Sequence, residues 1–166
     1  MATLGASGIP TLNDPPVITT RVRVQEPELA GLVREGLDRS ETFRRLVQHI
    51  NETDGIAYIQ TGTCPISAAA GCLLLGITEA GRERYLRILV TSRPTRPERR
   101  IAIVGHELQH SYEILSRSSV RSTAEAYALF IRIGSVGSIR SFETGEAQDV
   151  ERAIVQELAT PSNKVR

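Results

Sequence analysis

Apolar residues recur along this chain at two spacings, and the places where one gives way to the other divide it into elements. Val17 to Val24 alternates, which predicts a strand with Ile18, Thr20, Val22 and Val24 on one side. From Pro27 the spacing becomes helical: Leu29, Leu32, Val33 and Leu37 form one stripe. Beyond Ser40, a residue suited to capping, Phe43, Leu46, Val47 and Ile50 form another. Asn51 to Gly55 stops that helix, and Ile56 to Gln60 reads as a short strand. Gly71 to Thr78 and Arg84 to Thr91 flank Glu79 to Glu83 and predict a hairpin. The first run is apolar throughout and is expected to be a central strand buried on both faces. In the second, Leu86, Ile88 and Val90 alternate with Tyr85, Arg87 and Leu89.

Ser92 to Arg96, with Pro94, breaks the sheet and leads into the longest helical stretch, Pro97 to Leu115. Pro97 suits a first helical position and Glu98 adds negative charge to the first turn. Ile101, Val104, Leu108, Tyr112 and Leu115 make its apolar stripe, and Gly105 is its only glycine. His106 and His110 project from nearly the opposite side between Ile103 and Ile114, so the helix should be enclosed on both sides. A loop then precedes a helix capped by Ser122 or Thr123, with Ala126, Leu129, Phe130 and Ile133 inward, which Gly134 to Gly137 ends. A last helix runs from about Thr144 to Leu158, with Ala147, Val150, Ile154 and Leu158 inward. These elements predict an α+β fold: a small antiparallel or mixed sheet packed against helices, with Pro97 to Leu115 at its centre. One domain is expected over residues 17–160, between a flexible tail at 1–16 and a loose end at 161–166.

Length agrees with one domain, since 166 residues can bury a core without staples. The formal net charge of +1 and the scarcity of aromatic residues argue against nucleic acid as a partner. No apolar run approaches the roughly 20 residues needed to span a bilayer, and no signal peptide is visible at the start. The two cysteines, Cys64 and Cys72, flank a stretch of small residues. They are either buried thiols or a disulfide closing a short loop; the disulfide is slightly favoured, and with it an exported protein.

The chemistry concentrates in His106-Glu107-Leu108-Gln109-His110, an HExxH pattern holding two of the three histidines in the chain. Residues four apart stand one turn above each other on a helix, so two imidazoles can grip one tetrahedral Zn²⁺ from a single rigid element. Glu107, one step round, can take a proton from a zinc-bound water without ligating the ion. His49, beside the stripe of its own helix, reads as a partly exposed surface residue rather than a ligand.

Catalytic zinc sites usually have a third protein ligand. Glu113 lies on the same side of the same helix, but about 10 Å along the axis from His106 at the standard rise. Glu125 opens the following helix. If residues 117–121 turn the chain back, it comes level with His110, and it is preferred to Glu113 as third ligand. Otherwise Glu125 is a carboxylate satisfying a helix N-terminus, and Glu113 an acceptor from a histidine N–H.

An HExxH helix after a hairpin, with a glutamate on the next helix, resembles the zincin metallopeptidases, specifically their gluzincin branch, in a compact single-domain form. The likeness spans residues 56–133, and HExxH is its specific motif. It implies that His106, His110 and Glu125 bind zinc, that Glu107 is the general base, and that the protein hydrolyses peptide bonds in a peptide or protein substrate. The metzincin continuation is absent, since Glu113 stands where its glycine would be. Tyr112 and Tyr127 are the candidates for stabilising an oxyanion, although Tyr112 belongs to the core stripe. The rival readings are a non-catalytic domain that binds a peptide or partner in a zincin-like cleft, and a structural protein in which HExxH is incidental.

Overall fold

The computed structural model describes residues 21–160 apart from 67, 94, 139 and 140, with the backbone alone for 135–138 and 141. Residues 17–20 of the expected first strand, and both expected tails, lie outside the described residues. The elements run β1 (Val22–Val24), α1 (Pro27–Arg39), α2 (Glu41–Asn51), β2 (Gly55–Thr61), β3 (Gly71–Ala80), β4 (Glu83–Val90) and α3 (Pro97–Leu115). There follow α4 (Thr123–Ile133), β5 (Ser135–Ser138), β6 (Ser141–Glu143) and α5 (Gly145–Ala159). The fold is α+β, with a mixed four-stranded sheet in the order β1-β2-β4-β3. β1, β2 and β4 are parallel, and β3 is antiparallel to β4.

Period-two alternation places Val22, Val24, Ala57, Ile59, Leu86, Ile88 and Val90 in one buried layer. Leu29, Val33, Phe43 and Ile50 of α1 and α2 and Ile101, Val104 and Leu108 of α3 complete the same core. The helix stripes read from spacing are therefore the ones that face the core, α5 meeting it through α3 rather than the sheet, except that Ile133 is exposed. One expectation is corrected. β3 is an edge strand rather than a central one, and its residues are at most half-buried. A continuous apolar run cannot distinguish a strand flanked by two others from an edge whose side chains are covered otherwise. Here Leu73, Leu75 and Ile77 pack against the core cluster. The hairpin is also tighter than expected: β3 runs to Ala80 and β4 starts at Glu83, with Gly81 at φ 63° in the turn.

One buried charge fixes the far end of α3. Arg84, the second residue of β4, has no exposed surface. Its Nη1 donates to the carbonyls of Ile114 (3.3 Å), Arg117 (2.9 Å) and Val120 (2.7 Å), and its Nη2 to that of Leu115 (2.7 Å). These include carbonyls that the end of a helix leaves unpaired. Nε donates to Asp54 Oδ1 at 2.9 Å, so the charge is paired as well. Burial pushes the Asp54 carboxyl up, but Arg84 and Arg121 outweigh it and hold it below its ordinary value of 3.8.

Replacing Arg84 with Leu should therefore lower stability to urea by about 3–5 kcal/mol, because an acid and several buried carbonyls lose their partner. A loss under about 1 kcal/mol would show that those groups find other donors. Asp54 contributes fully above its unfolded-state pKa, and the contribution is lost as pH falls through the lower folded-state value. Asp54→Asn should thus be less stable than wild type at neutral pH and lose less on acidification below about pH 4. Parallel stability–pH curves for the two proteins would contradict this.

Candidate metal centre

α3 places the HExxH residues by a combination of propensity and close packing. Pro97 occupies its first turn, and no further proline interrupts it before Leu115. Both sides of the helix are covered, and His106, Glu107 and His110 are each under a tenth exposed. Gly105 explains how a second helix comes so near: a Cβ there would lie 2.2 Å from Ile154 Cδ1 of α5. α5 packs along α3 from this contact, and its Glu151, with Glu143 at the strand end before it, meets His106.

The two imidazoles converge. His106 Nε2 and His110 Nε2 are 3.1 Å apart, and Glu143 Oε2 lies 3.4 Å from His106 Nε2. Ligand atoms of all three residues fall within 4.8 Å of one another. Two nitrogen or oxygen ligands about 2.05 Å from a tetrahedral ion stand roughly 3.3 Å apart, so both measured spacings suit a single small divalent ion. Glu143 closes β6 and is half-buried.

The two glutamates expected as the third ligand have other tasks. Glu125 is at the third position of α4, where its Oε2 accepts from the N–H groups of Arg121 and Ser122 and from Ser122 Oγ, each at 2.9 Å. Ser122 Oγ accepts from Glu125 N in return, a reciprocal cap that draws the carboxylate to the helix start. These donors, the Arg121 N–H first, hold its pKa below the ordinary range. Glu113 Oε2 meets His110 Nδ1 at 2.9 Å, the ring nitrogen turned away from His106. It is thus the acceptor behind a candidate ligand, and its Oε1 takes a hydrogen bond from Thr144 Oγ1 at 2.6 Å. Thr144 also caps α5, so adjacent residues supply the third candidate ligand and the support of the second.

His106 has a carboxylate behind it too. Glu151 Oε2 is 2.9 Å from its Nδ1, but off the line a hydrogen bond needs, so the contact is chiefly one of charge. Burial works against a charged His106, yet Glu143 and Glu151 outweigh it and push its pKa up to about 10. Carboxylates behind ligating imidazoles fix ring orientation and raise ligand basicity.

Glu107 faces the neighbouring sheet edge. Its Oε2 accepts the Leu73 N–H at 2.8 Å, and burial raises its pKa, against the opposing pull of His110 and His106. β3 can approach this closely because residue 71 is glycine: a Cβ there would lie 2.6 Å from Ile103 Cγ2 and 3.3 Å from Glu107 Cγ. The Cys64–Cys72 disulfide ties the loop before β3 to that strand. Two cavities open beside His106, Glu107 and Glu143. One, about 120 Å³, has Leu73, Leu75, Phe130 and Phe142 in its walls. The other, about 390 Å³, is lined in part by Arg93, Arg99 and Arg100.

The remaining aromatic candidates lie elsewhere. Tyr112 packs against His49 with ring centroids 5.3 Å apart, and Tyr127, about half exposed, against Phe142 at 5.1 Å. Neither tyrosine lines either cavity. Sequence reasoning missed Glu143, Thr144 and Glu151. The available signal was Gly105, the only glycine between Pro97 and Leu115, where α5 packs against α3 through Ile154. Comparison with known proteins finds no matching family model, curated protein or solved structure, so the chemistry of the site has to be argued from its own geometry.

If His106, His110 and Glu143 form the centre, His106→Ala, His110→Ala and Glu143→Gln should each abolish stoichiometric binding of a divalent ion, while Glu125→Gln retains it. Thr144→Val should keep the ion but weaken it about 10- to 100-fold, through Glu113. Elemental analysis and chelator competition would check both. Loss of the ion in Glu125→Gln, with Glu143→Gln unaffected, would reverse the assignment.

Proposed function

We propose that the protein is a zinc-dependent peptidase with Glu107 as its general base. The observation that carries this reading is the convergence of His106 Nε2, His110 Nε2 and the Glu143 carboxylate beside Glu107 and a cleft. Two imidazoles and a carboxylate are a donor set that suits zinc and leaves a fourth position open. Bound there, zinc would supply a Lewis acid that acidifies water and polarises a carbonyl.

The work of the chain's own residues follows from their placement. The Leu73 N–H holds one Glu107 oxygen, which fixes the carboxylate and leaves the other oxygen to accept a proton. Burial, which raises the Glu107 pKa, makes it a stronger base and lets it return that proton to a leaving amine. Since the Leu73 N–H is directed away from β4, the outer edge of β3 borders the cleft. An extended peptide can lie along such an edge by main-chain pairing. The smaller cavity, with its two phenylalanines and two leucines, suits an apolar side chain of that peptide. The disulfide on the cleft rim fits an exported enzyme.

Glu107→Gln should keep one zinc per chain and lose turnover of a quenched fluorescent peptide library by about 10²- to 10⁴-fold. Retained turnover would remove Glu107 as the base. Zinc at full occupancy in a wild-type protein that cleaves nothing in the library would favour a non-catalytic peptide-binding domain.

A further inference from the structure

α4 differs from its neighbours in what it turns outward. Ala126, Leu129 and Phe130 face the core, while Ala124, Tyr127, Ala128 and Ile131 recur at helical spacing on the opposite side and are all exposed. Glu125 and Arg132, at the border of that face, are the only charged residues of the helix. The outward face of α2, by contrast, is Glu41, Arg44, Arg45 and Gln48. Among the described residues, four large apolar side chains are exposed, and three of them, Tyr127, Ile131 and Ile133, belong to α4. Single exposed apolar residues are ordinary, but a contiguous group marks a surface that something covers.

This patch is continuous with the cleft. His110 lies against Phe130, with ring centroids 5.4 Å apart, and Phe130 against Phe142 at 5.6 Å. Both phenylalanines are walls of the smaller cavity, and Phe142 in turn meets Tyr127 at 5.1 Å. The apolar wall thus runs on to the surface through Tyr127, and Ile131 follows one turn later on the same helix face. Three ring-to-ring steps of this kind span at most about 16 Å, or about five residues of extended peptide.

Area limits what the patch can hold. Tyr127 and Ile131, each about half exposed, offer with the two alanines on the order of 300 Å². A stable interface between two proteins takes roughly 800 Å² from each. The patch is therefore too small to join two copies of the chain by itself, but it suits a side chain of a polypeptide already held in the cleft.

We propose that Tyr127 and Ile131 bind an apolar side chain of the substrate polypeptide, within about five residues of the bond that is cleaved. The inference rests on the peptidase reading. The substrate class is then an extended polypeptide with two spaced apolar residues, one for the smaller cavity and one for α4, rather than a short fragment that cannot reach both.

The test uses the zinc-loaded Glu107→Gln protein and fluorescence anisotropy with labelled peptides. Each has a central Leu in a Gly-Ser background, and a second Leu or a Ser at one position up to about six residues to either side. At one of these positions Leu should bind about tenfold tighter than Ser. Tyr127→Ser and Ile131→Ser, each added to Glu107→Gln, should bring that ratio towards one. Val155→Ser, which removes the exposed apolar residue of α5, should leave the ratio as it was. A ratio that survives both α4 substitutions overturns the site on α4. So does a ratio of one at every position; if the wild type cleaves the peptides, the peptidase reading then still stands. A wild type that sediments as a dimer, and as a monomer after Ile131→Ser, assigns the patch to a second copy and overturns the proposal likewise. Failure of the wild type to cleave any of the peptides, with no binding by Glu107→Gln, overturns both readings.

Discussion

α3 is covered on both sides while carrying polar residues in its interior turns, and each of those residues has to find a partner among the elements around it. Buried polar groups without partners cost several times what a hydrogen bond gains. That constraint shapes this fold. β3 supplies the Leu73 N–H to Glu107, and the residue that caps α5 supplies its hydroxyl to Glu113. Glu151 of α5 sets a charge behind His106, and Ser111 turns back to the Glu107 carbonyl at 3.0 Å. The elements that surround α3 are thus selected for what they deliver to it as much as for apolar area.

The same requirement operates at the end of the helix, by a different means. Four of the carbonyls at and beyond its C-terminus converge on one guanidinium, Arg84, which belongs to the sheet. Arginine suits this task because its donors form a rigid fork and its charge is complemented by the negative end of the dipole. Asp54, just before β2, balances the charge from the other side. The rotation of α3 relative to the sheet is therefore fixed at two points, by Arg84 at its C-terminal end and by the Glu107–Leu73 bond near its middle, which keeps the histidine face turned towards the cleft.

What was legible in the sequence follows the range of the interactions concerned. The helices and their inward stripes could be read because 3.6-residue spacing is local, and the two ring nitrogens because a four-residue step fixes them on one face. The third candidate ligand could not be read in that way. Glu143 is not on a helix facing α3; it ends β6, the second strand of a short hairpin that no periodicity announced. The reasoning that favoured Glu125 relied on two antiparallel helices brought level by their loop. It gave too little weight to the claim that the first turn of α4 makes on a glutamate three residues after Ser122. The edge position of β3 was hidden for a similar reason: apolar content reports that a strand is covered, not by what.

The carboxylates around the histidines explain why the site tolerates so many acids in its interior. Glu107, Glu113, Glu143 and Glu151 stand about two imidazoles, a charge density that would be unfavourable without a cation among them. A proton on His106 meets part of that demand, and Glu143 and Glu151 hold it there well past neutral pH despite burial. A divalent ion would meet more of the demand, because it would bring two charges to the place where His106, His110 and Glu143 converge. Metal and proton thus compete for the same nitrogens, and the acids behind the rings favour whichever positive charge is present. The charge of the cluster and the convergence of its ligand atoms are independent properties of the chain, and a cation at the histidines would satisfy both.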